Sequence, residues 1–390
     1  MLAPEPFFQP RGTPISVYFR LQSLSDLGHE VDLVTYHLGE DKNFPGLKIR
    51  RIPSVFFIKK IKVGPSLAKI PLDFLMFCKS MRLVLTQHYD LIFTHEEASW
   101  LGTVLAKIKK IPHLYDMHSS LPQQLENFRF TRSKVLKNVF RGLERFVLRN
   151  AQSVIVICRD LLQKLEKEGL SHKATLIENF LDFHHPGYTE DRIKKEREKY
   201  ASPEDKIVLY AGNFESYQGI PLFLEAISLV EDKSVIFLLV GGNPMHVEEM
   251  KKKASELSIS ERVFFTGQVA PSYVPLYIAM ADVLVSPRTA GTNTPLKIYS
   301  FLKSGKPLVA TDLWTHSQVL DEKMAVLAQP DPKSFAQGIL FALNEKNAKE
   351  RAKAAKKMAD EDYTLANYKK KITRALEKAF EDRSNRHRAS

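Results

Sequence analysis

The stretch VLVSPRTAGTNTPLKIYSFLKSGKPLVAT, residues 283–311, decides the fold of this chain. An apolar run is followed by a loop of small residues, a helix-like segment that opens at Pro295 and stops at Gly305, and a second apolar run. This order predicts a strand, a helix and another strand. Asn293 or Thr294 is suited to cap the helix, and Pro295 suits its first turn.

Two cations accompany the predicted helix start, Arg288 in the loop and Lys297 in the first turn. A helix start presents unpaired backbone N–H groups, and a lysine beside them opposes the helix dipole. Lys297 is therefore poorly placed for stability but well placed for an anionic ligand such as a diphosphate. The alternative is a solvated lysine in an ordinary strand–helix unit.

The bulk composition describes a globular chain of 390 residues with a formal charge of +12. This length favours two domains. Cys78 and Cys158 lie in apolar runs, which predicts buried thiols rather than a disulfide framework or a metal site, and fits a reducing cytoplasm. We expect no signal peptide and no membrane span, because no apolar run approaches about 18 residues.

Residues 42–82 carry 10 Lys and Arg residues against Asp73 as the one acid, with aromatic and aliphatic residues interleaved. This mixture favours contact with an anionic membrane surface. The alternatives are a solvated face of an amphipathic helix and a nucleic-acid surface.

Short apolar runs alternate with helix-like segments along the whole chain, and this alternation predicts parallel sheets covered on both faces. The predicted strands are Met1-Leu2, 31–36, 91–95, 113–118, 153–158, 174–179, 206–212, 234–242, 262–267, 282–287 and 307–311. The polar stretch 183–206 is interpreted as the passage between two domains, with a short helix inside. The C-terminal region is predicted to be helical, and its last residues, 384–390, to be disordered.

Ligands of open parallel sheets bind at the carboxyl ends of strands, so the loops at those ends are the candidate sites. In the first half these loops contain Gly12 and Thr13, His95 and Glu96, and the segment 116–118. A histidine or a carboxylate there can act as acid, base or sugar-hydroxyl ligand, although each is also an ordinary solvated residue.

In the second half, the loop 212–219 places glycines on both sides of a polar segment before a helix, which suggests a phosphate or sugar cradle. Gly241-Gly242 and Gly267-Gln268-Val269 end the next two strands, where backbone groups can contact a nucleobase.

Taken in order, these segments resemble GT-B glycosyltransferases, in particular retaining enzymes of family 4, over nearly the whole chain. The matching segments are LSDLGHEVDLVTY, HLYDMHSSLP, LIENFLD, YAGNFESYQGIPLFLEAI, LLVGG, VFFTGQV, ADVLVSP and TNTPLKIYSFLKSGKPLVAT. The resemblance implies an α/β fold with two Rossmann-like, doubly wound domains that face each other across a cleft. Residues 1–184 would bind the acceptor, residues 185–365 the nucleotide-sugar donor, and a helix at about 366–384 would cross back onto the first domain.

The resemblance also implies roles for individual residues. Gly12 would lie near the donor diphosphate, His118 would contact the transferring sugar, and residues 267–269 would lie by the base. The predicted donor-binding residues are Gly12, Thr13, Gly212, Asn213, Gln218, Gly219, Gly267, Gln268, Val269, Asn293, Thr294 and Pro295. The predicted catalytic residues are His118, Lys297 and Arg288, and the residues predicted to face the acceptor or sugar are His95, Glu96 and Asp116.

Four positions depart from the usual pattern of the family. An acidic pair eight residues apart is replaced by Thr292 and Ser300, and an Arg and a Lys of the 212–219 loop are replaced by Asn213 and Gln218. Arg288 and Lys297 can supply the missing charge, since a diphosphate needs cationic neighbours but not at fixed positions.

The expected activity is transfer of a sugar, with retention, from a nucleotide-diphosphate sugar to a lipid-linked or polysaccharide acceptor. No cofactor or metal and no nucleic-acid partner are expected, and the expected location is the cytoplasm, at the inner face of the membrane. The alternatives are a nucleotide-sugar epimerase of the same architecture and a non-catalytic nucleotide-sugar-binding protein.

Overall fold

The computed structural model describes residues 1–8, 12–59, 61, 66, 68–120, 122, 133–178 and 187–388, and the side chains of these residues except Gly12 and residues 382–388. The chain divides into two compact units, Met1–Asn179 with Ala366–Ser390, and Phe180–Leu365. Each unit is built around its own parallel sheet. The predicted α/β class with two parallel-sheet domains is therefore confirmed.

The first unit contains a seven-stranded sheet in the order β3-β2-β1-β4-β5-β6-β7. Its strands are β1 (Leu2–Ala3), β2 (Val31–Thr35), β3 (Leu47–Arg51), β4 (Ile92–His95), β5 (His113–Met117), β6 (Ser153–Val156) and β7 (Ala174–Leu176). Every pair of neighbouring strands is parallel. Because the strand order reverses between β1 and β4, the crevice at their carboxyl ends is the expected ligand position of this unit.

The second unit contains a six-stranded parallel sheet in the order β10-β9-β8-β11-β12-β13. Its strands are β8 (Lys206–Ala211), β9 (Val235–Val240), β10 (Val263–Gly267), β11 (Val283–Ser286), β12 (Leu308–Thr311) and β13 (Val326–Ala328). The order reverses between β8 and β11. Apolar side chains are buried on both faces of this sheet, which explains why its strands are continuous hydrophobic runs.

Helices follow most strands and cover the sheets. In the first unit they are α1 (Gly12–Asp26), α2 (Lys69–Thr86), α3 (Ser99–Lys109), α4 (Lys134–Asn150), α5 (Arg159–Lys167) and the C-terminal α14 (Leu365–Arg388). In the second unit they are α6 (Glu190–Arg197), α7 (Ile220–Ser228), α8 (Pro244–Glu256), α9 (Val274–Met280), α10 (Lys297–Ser304), α11 (Trp314–Ser317), α12 (Pro332–Asn344) and α13 (Lys346–Asp362). None of the helices in the described ranges is long and apolar enough to cross a bilayer.

Two expectations from the sequence are wrong in this part of the structure. Cys78 is exposed while Cys158 is buried, because Cys78 lies on the outer side of α2, away from the buried Met76 and Ser80. The segment 384–388, expected to be disordered, continues α14. The predicted interdomain passage falls partly on residues 179–186, outside the described residues, and its short helix is α6.

Candidate functional site

The candidate site of the second unit lies at the point where its strand order reverses. The loops that follow β8 and β11 are adjacent there, and the backbone N–H of Thr289 donates to the carbonyl of Tyr217 over 3.0 Å. Gly219 has φ +73°, and a Cβ at this position would overlap the carbonyl oxygen of Pro287. Glycine is therefore required at 219 by both conformation and space.

Lys297 reaches from the first residue of α10 into the loop after β8. Its Nζ lies 3.8 Å from the centre of the Tyr210 ring and 3.4 Å from Oε1 of Gln218. A Cβ on Gly212 would come within 2.8 Å of that Nζ, so the absence of a side chain at 212 leaves room for the ammonium. The predicted residues Gly212, Gln218 and Lys297 are thus brought together.

The charge of Lys297 is poorly compensated. Burial, with the nearby Arg288 as a second cause, holds the pKa of the Lys297 ammonium well below its usual range. Its aromatic neighbour Tyr210 supplies a cation–π contact rather than a counter-charge. Bringing an anion to this position would relieve the cost of burying the ammonium.

Arg288, the second predicted cation, is held in a fixed position by neutral groups. Its Nη1 donates to the carbonyl of Asn293 (2.6 Å) and to Oγ1 of Thr315 (2.7 Å), and its guanidinium carbon lies 5.0 Å from the centre of the Tyr217 ring. Its Nε is buried and has no hydrogen-bond partner in the part of the chain that the structure describes. Burial lowers the pKa of Arg288.

Within the described ranges, neither Arg288 nor Lys297 takes part in an ion pair with a carboxylate. The acidic pair usual in the family would have stood at Thr292 and Ser300. This corner of the second unit therefore places an arginine and a lysine among aromatic rings, hydroxyl groups, the Gln218 amide and backbone carbonyls.

The predicted start of the helix after β11 is corrected by the structure. Regular helix begins at Lys297, its N-cap is Leu296, and no side chain caps it. A turn precedes it, since the N–H of Ile298 donates to the carbonyl of Pro295. Asn293 does not play the predicted capping role, because it precedes the N-cap by three residues; its carbonyl instead accepts from Arg288 and Thr315. The predicted end at Gly305, with φ +67°, is confirmed.

Other predicted donor residues occupy neighbouring loops of the second unit. The side-chain oxygen of Asn213 accepts from the N–H of Glu215, so it caps its own loop. Gly267 ends the edge strand β10, and its carbonyl accepts from the N–H of Gly241 over 2.9 Å. Gln268 is exposed, whereas Val269 packs against the core. The hydroxyl of Thr294 is buried without a partner among the described residues.

A set of buried polar residues, not predicted from the sequence, anchors the loop after β11. His316 is fully buried between Ser286 and Thr311: its Nε2 lies 2.9 Å from Oγ of Ser286, and its Nδ1 lies 2.8 Å from the carbonyl oxygen of Thr311. This pattern assigns the neutral tautomer with the proton on Nδ1. Burial lowers the pKa of His316 to about 3.

In the first unit, the centre of the candidate site is an ion pair that spans 96 residues of sequence. Nε of Arg20 donates to Oδ2 of Asp116 over 2.9 Å and Nη2 donates to Oδ1 over 3.3 Å, with both side chains fully buried. Burial alone would raise the pKa of the Asp116 carboxyl, but the charges of Arg20 and His118 outweigh it and hold that pKa well below its usual range.

His95, Asp116 and His118 lie together at the carboxyl ends of β4 and β5. Nε2 of His118 lies 3.2 Å from Oδ1 of Asp116. The rings of His95 and His118 are 4.1 Å apart, and neither ring nitrogen of the fully buried His95 has a hydrogen-bond partner in the described part of the chain. Burial, followed by His118, lowers the pKa of His95 well below its usual range, so His95 is neutral.

Glu96 follows directly, with φ +50°, an uncommon left-handed conformation for a side-chain-bearing residue. Its Oε2 accepts from the hydroxyl of Ser119 over 2.8 Å. Burial and the neighbouring Glu97 raise the pKa of Glu96 to about 8.

Gly12 and Thr13 form the first turn of α1, and the loop before them, residues 9–11, lies outside the described residues.

The sequence showed no metal-ligand spacing, but the fold places ligand-type atoms of His95, Asp116 and His118 within 4.8 Å of one another. Arg20 engages both oxygens of Asp116. A guanidinium in this position repels a cation and uses the carboxylate that would bind it. The cluster is therefore poorly suited to holding a metal.

Comparison with known proteins identifies the family. The family described as Glycosyltransferase Family 4 matches residues 10–185, and the family described as Glycosyl transferases group 1 matches residues 192–360. The chain is a GT-B glycosyltransferase of family 4 type. The two matches lie on the two structural units, so each unit of the glycosyltransferase corresponds to one of the family's domains.

Among curated relatives of this glycosyltransferase are two lipid-modifying enzymes. The alpha-monoglucosyldiacylglycerol synthase of Streptococcus pneumoniae is 26% identical over 86% of this chain and 76% of that protein. The phosphatidyl-myo-inositol mannosyltransferase of Mycobacterium tuberculosis is 23% identical over 97% of this chain and 96% of that protein.

Solved structures show the same fold. Anabaena HepE in complex with UDP and glucose aligns with a TM-score of 0.74 at 18% identity, covering 96% of this chain and 98% of that one. Sucrose-phosphate synthase of Thermosynechococcus elongatus aligns with a TM-score of 0.77 at 19% identity, covering 95% and 94%.

Proposed function

We propose that this glycosyltransferase transfers a sugar, with retention of configuration, from a nucleoside-diphosphate sugar bound by the second unit to an acceptor bound by the first. The observation that carries the proposal is the pair of partly buried cations, Arg288 and Lys297, which lack a carboxylate partner in the described ranges. Such a pair is expensive unless an anion occupies it in the working enzyme.

The chemistry follows from the charge that develops during sugar transfer. The transition state is oxocarbenium-like, and the departing diphosphate gains negative charge as the bond breaks. Arg288, Lys297 and backbone N–H groups at the start of α10 would stabilise that charge in a preorganised setting. The two cations would thereby replace the Arg and Lys that the family often has where Asn213 and Gln218 stand here.

The first unit would position the reacting sugar and acceptor. His118, fixed by Asp116, is proposed to contact the transferring sugar, and the carboxyl of Glu96, whose pKa is about 8, is proposed to bind an acceptor hydroxyl. Gly12 and Thr13 are proposed to approach the diphosphate, and residues 267–269 the base.

The decisive experiment is a thermal-shift screen of nucleoside diphosphates and their sugars, followed by assays of donor turnover with and without acceptors. A ligand at 100 times its Kd should stabilise the protein by about 2.7 kcal/mol. Transfer that depends on an acceptor and retains the anomeric configuration supports the proposal. Turnover of the donor alone to a new sugar would indicate an epimerase, and binding without turnover over a broad acceptor panel would indicate a non-catalytic binding protein.

We further propose that the acceptor is presented at an anionic membrane surface. One stripe of α2 exposes the side chains of Ile70, Phe74, Cys78 and Leu85, which recur at helical spacing. The exposed face of an ordinary solvated helix is polar, so this apolar stripe is unusual. Phe56 and Phe57, in the segment that follows β3, are 84% and 68% exposed.

Cations accompany this apolar stripe: Lys59 and Arg82 are exposed within the same basic region. Exposed aromatics beside lysine and arginine are typical of surfaces that enter the headgroup layer. The two lipid-modifying relatives support the same choice of acceptor class.

Cys78 provides a direct test, because it is exposed while Cys158 is buried, so a thiol-reactive environment-sensitive dye will label it selectively. We expect a blue shift of the dye with vesicles of phosphatidylcholine and phosphatidylglycerol, and weaker vesicle binding for Phe74→Ser. Leu229→Ser, which alters an exposed leucine of the second unit, is the matched control. Equal vesicle binding by all forms would reject the membrane proposal.

A further inference from the structure

The loop between β11 and α10, residues 287–296, carries Arg288 and leads into Lys297, yet its shape depends on a different element. Its backbone carbonyls at Thr292 and Asn293 both accept hydrogen bonds from side chains of α11 and the residue after it. Side chains more than 20 residues further along the sequence therefore determine the conformation of this loop.

Thr315 is the central contact. Its Oγ1 donates to the carbonyl of Asn293 over 2.6 Å and accepts from Nη1 of Arg288 over 2.7 Å, and the residue is fully buried. One hydroxyl thus fixes both the guanidinium and the loop backbone behind it.

Gln318 and Thr311 hold the rest of the loop. Nε2 of Gln318 donates to the carbonyl of Thr292 over 2.5 Å, and Oγ1 of Thr311 donates to the carbonyl of Arg288 over 2.5 Å. His316 in turn is held between Ser286 and Thr311. Each of these groups is buried, so the network has little freedom to rearrange.

We propose that Thr315 and Gln318 are positioning residues for the donor diphosphate: they fix the Arg288 guanidinium and tie back the 292 and 293 carbonyls, whose partial negative charge would otherwise compete for the cations. This inference rests on the proposed function. It explains how a family member without the acidic pair at 292 and 300 orients its donor-site cations, since neutral side chains of α11 do so here.

The test compares Thr315→Val, which removes the hydroxyl at nearly constant shape, with Thr315→Ser, which restores it. Ser317→Ala changes an exposed residue of the same helix and is the matched control. Isothermal titration measures affinity for the nucleoside diphosphate that gave the largest thermal shift, and saturation-transfer NMR measures affinity for the corresponding nucleoside without phosphates. Thermal unfolding is recorded for every variant.

We expect Thr315→Val to weaken diphosphate binding at least tenfold, about 1.4 kcal/mol, while nucleoside affinity changes less than twofold. Thr315→Ser should recover most of the loss, and Ser317→Ala should match the wild type. Should Thr315→Val fail to fold, Gln318→Met provides the same comparison at the second contact.

Two outcomes would overturn the inference: diphosphate affinity unchanged in both Thr315→Val and Gln318→Met, or diphosphate and nucleoside affinities that fall together, as a purely structural role predicts. A wild-type protein that binds no nucleoside diphosphate would instead contradict the proposed function. The two failures are therefore distinguishable.

Discussion

At the scale of single residues, Lys297 illustrates a conflict between stability and function. Its ammonium lies over the Tyr210 ring, no carboxylate of the described residues forms an ion pair with it, and burial lowers its pKa. A lysine kept only for the fold would be paired or solvated. A diphosphate bound as proposed would resolve the conflict, because the ligand would supply the missing negative charge.

We therefore expect Lys297→Met to leave the free energy of unfolding unchanged or higher, because it removes a buried, unpaired charge. The same substitution should lower nucleoside-diphosphate affinity at least tenfold, about 1.4 kcal/mol. Chemical denaturation and isothermal titration measure the two effects. Lys303→Met, at the opposite end of α10, is the matched control and should retain ligand affinity. Lower stability with normal affinity for Lys297→Met would identify a structural lysine.

Arg20 and Asp116 form an ion pair in the first unit in which both side chains are fully buried. Asp116→Asn leaves the guanidinium without a counter-charge and should destabilise the protein by about 3–5 kcal/mol. Equilibrium denaturation measures the loss. Glu248→Gln, which removes one partner of an exposed ion pair with Lys251, should cost about 0–1 kcal/mol. Equal effects of the two substitutions would contradict the assigned burial of the Arg20 pair.

At the scale of elements, the sequence predicted the central strands well because they are continuous apolar runs buried on both faces. Strand β3, with the sequence LKIRR, was not recognised, since its alternating pattern resembles any half-exposed basic segment. The short strand β13 was missed as well. The β-strand signal is weakest where one face of the strand is solvated.

The candidate site was predicted only in part, for a similar reason. Histidines and glycines that end strands are visible in sequence, so His95, His118 and Gly219 could be proposed. Arg20 lies in the middle of α1, and nothing local indicates that it meets a carboxylate 96 residues away. Thr315 and Gln318 follow the end of β12, which was the one available signal, but their partners depend on the fold.

His316 should make the second unit sensitive to acid. Its pKa is about 3 in the folded protein and 6.5 when unfolded, so the unfolded state binds more protons between these values. The stability that the neutral imidazole of His316 contributes is fully present above pH 6.5, and it is lost progressively as the pH falls toward 3.

Between pH 7 and pH 5 this loss amounts to about 2 kcal/mol. His316→Gln, which cannot be protonated, should show a correspondingly flatter dependence of the free energy of unfolding on pH, measured by denaturation at each pH. A parallel dependence in the two proteins would show that the imidazole is accessible to protons in the folded state.

At the scale of the whole molecule, the chain ends in the unit where it begins. Helix α14 buries Tyr368, Ile372 and Ala375, and Nζ of Lys371 donates to Glu178 over 2.6 Å. The Tyr368 ring lies 5.0 Å from the guanidinium carbon of Arg20, so the helix also contacts the polar centre of the first unit.

Ile372→Ala should therefore destabilise the first unit by about 2–4 kcal/mol through the cavity it leaves. The stabilisation that a nucleoside diphosphate gives to the second unit should persist, and calorimetry with and without ligand separates the two transitions. Lys370→Ala, one exposed position of the same helix, is the control. Loss of the ligand effect in Ile372→Ala would contradict the assignment of α14 to the first unit alone.

The most direct test of the central claim is a crystal structure of the full chain soaked with the nucleoside diphosphate that binds best. We predict that its phosphate oxygens lie within hydrogen-bonding distance of Lys297 Nζ and the Arg288 guanidinium, at the start of α10. A diphosphate bound elsewhere, with these two cations still in their present contacts with Tyr210, Gln218, Tyr217 and Thr315, would contradict it.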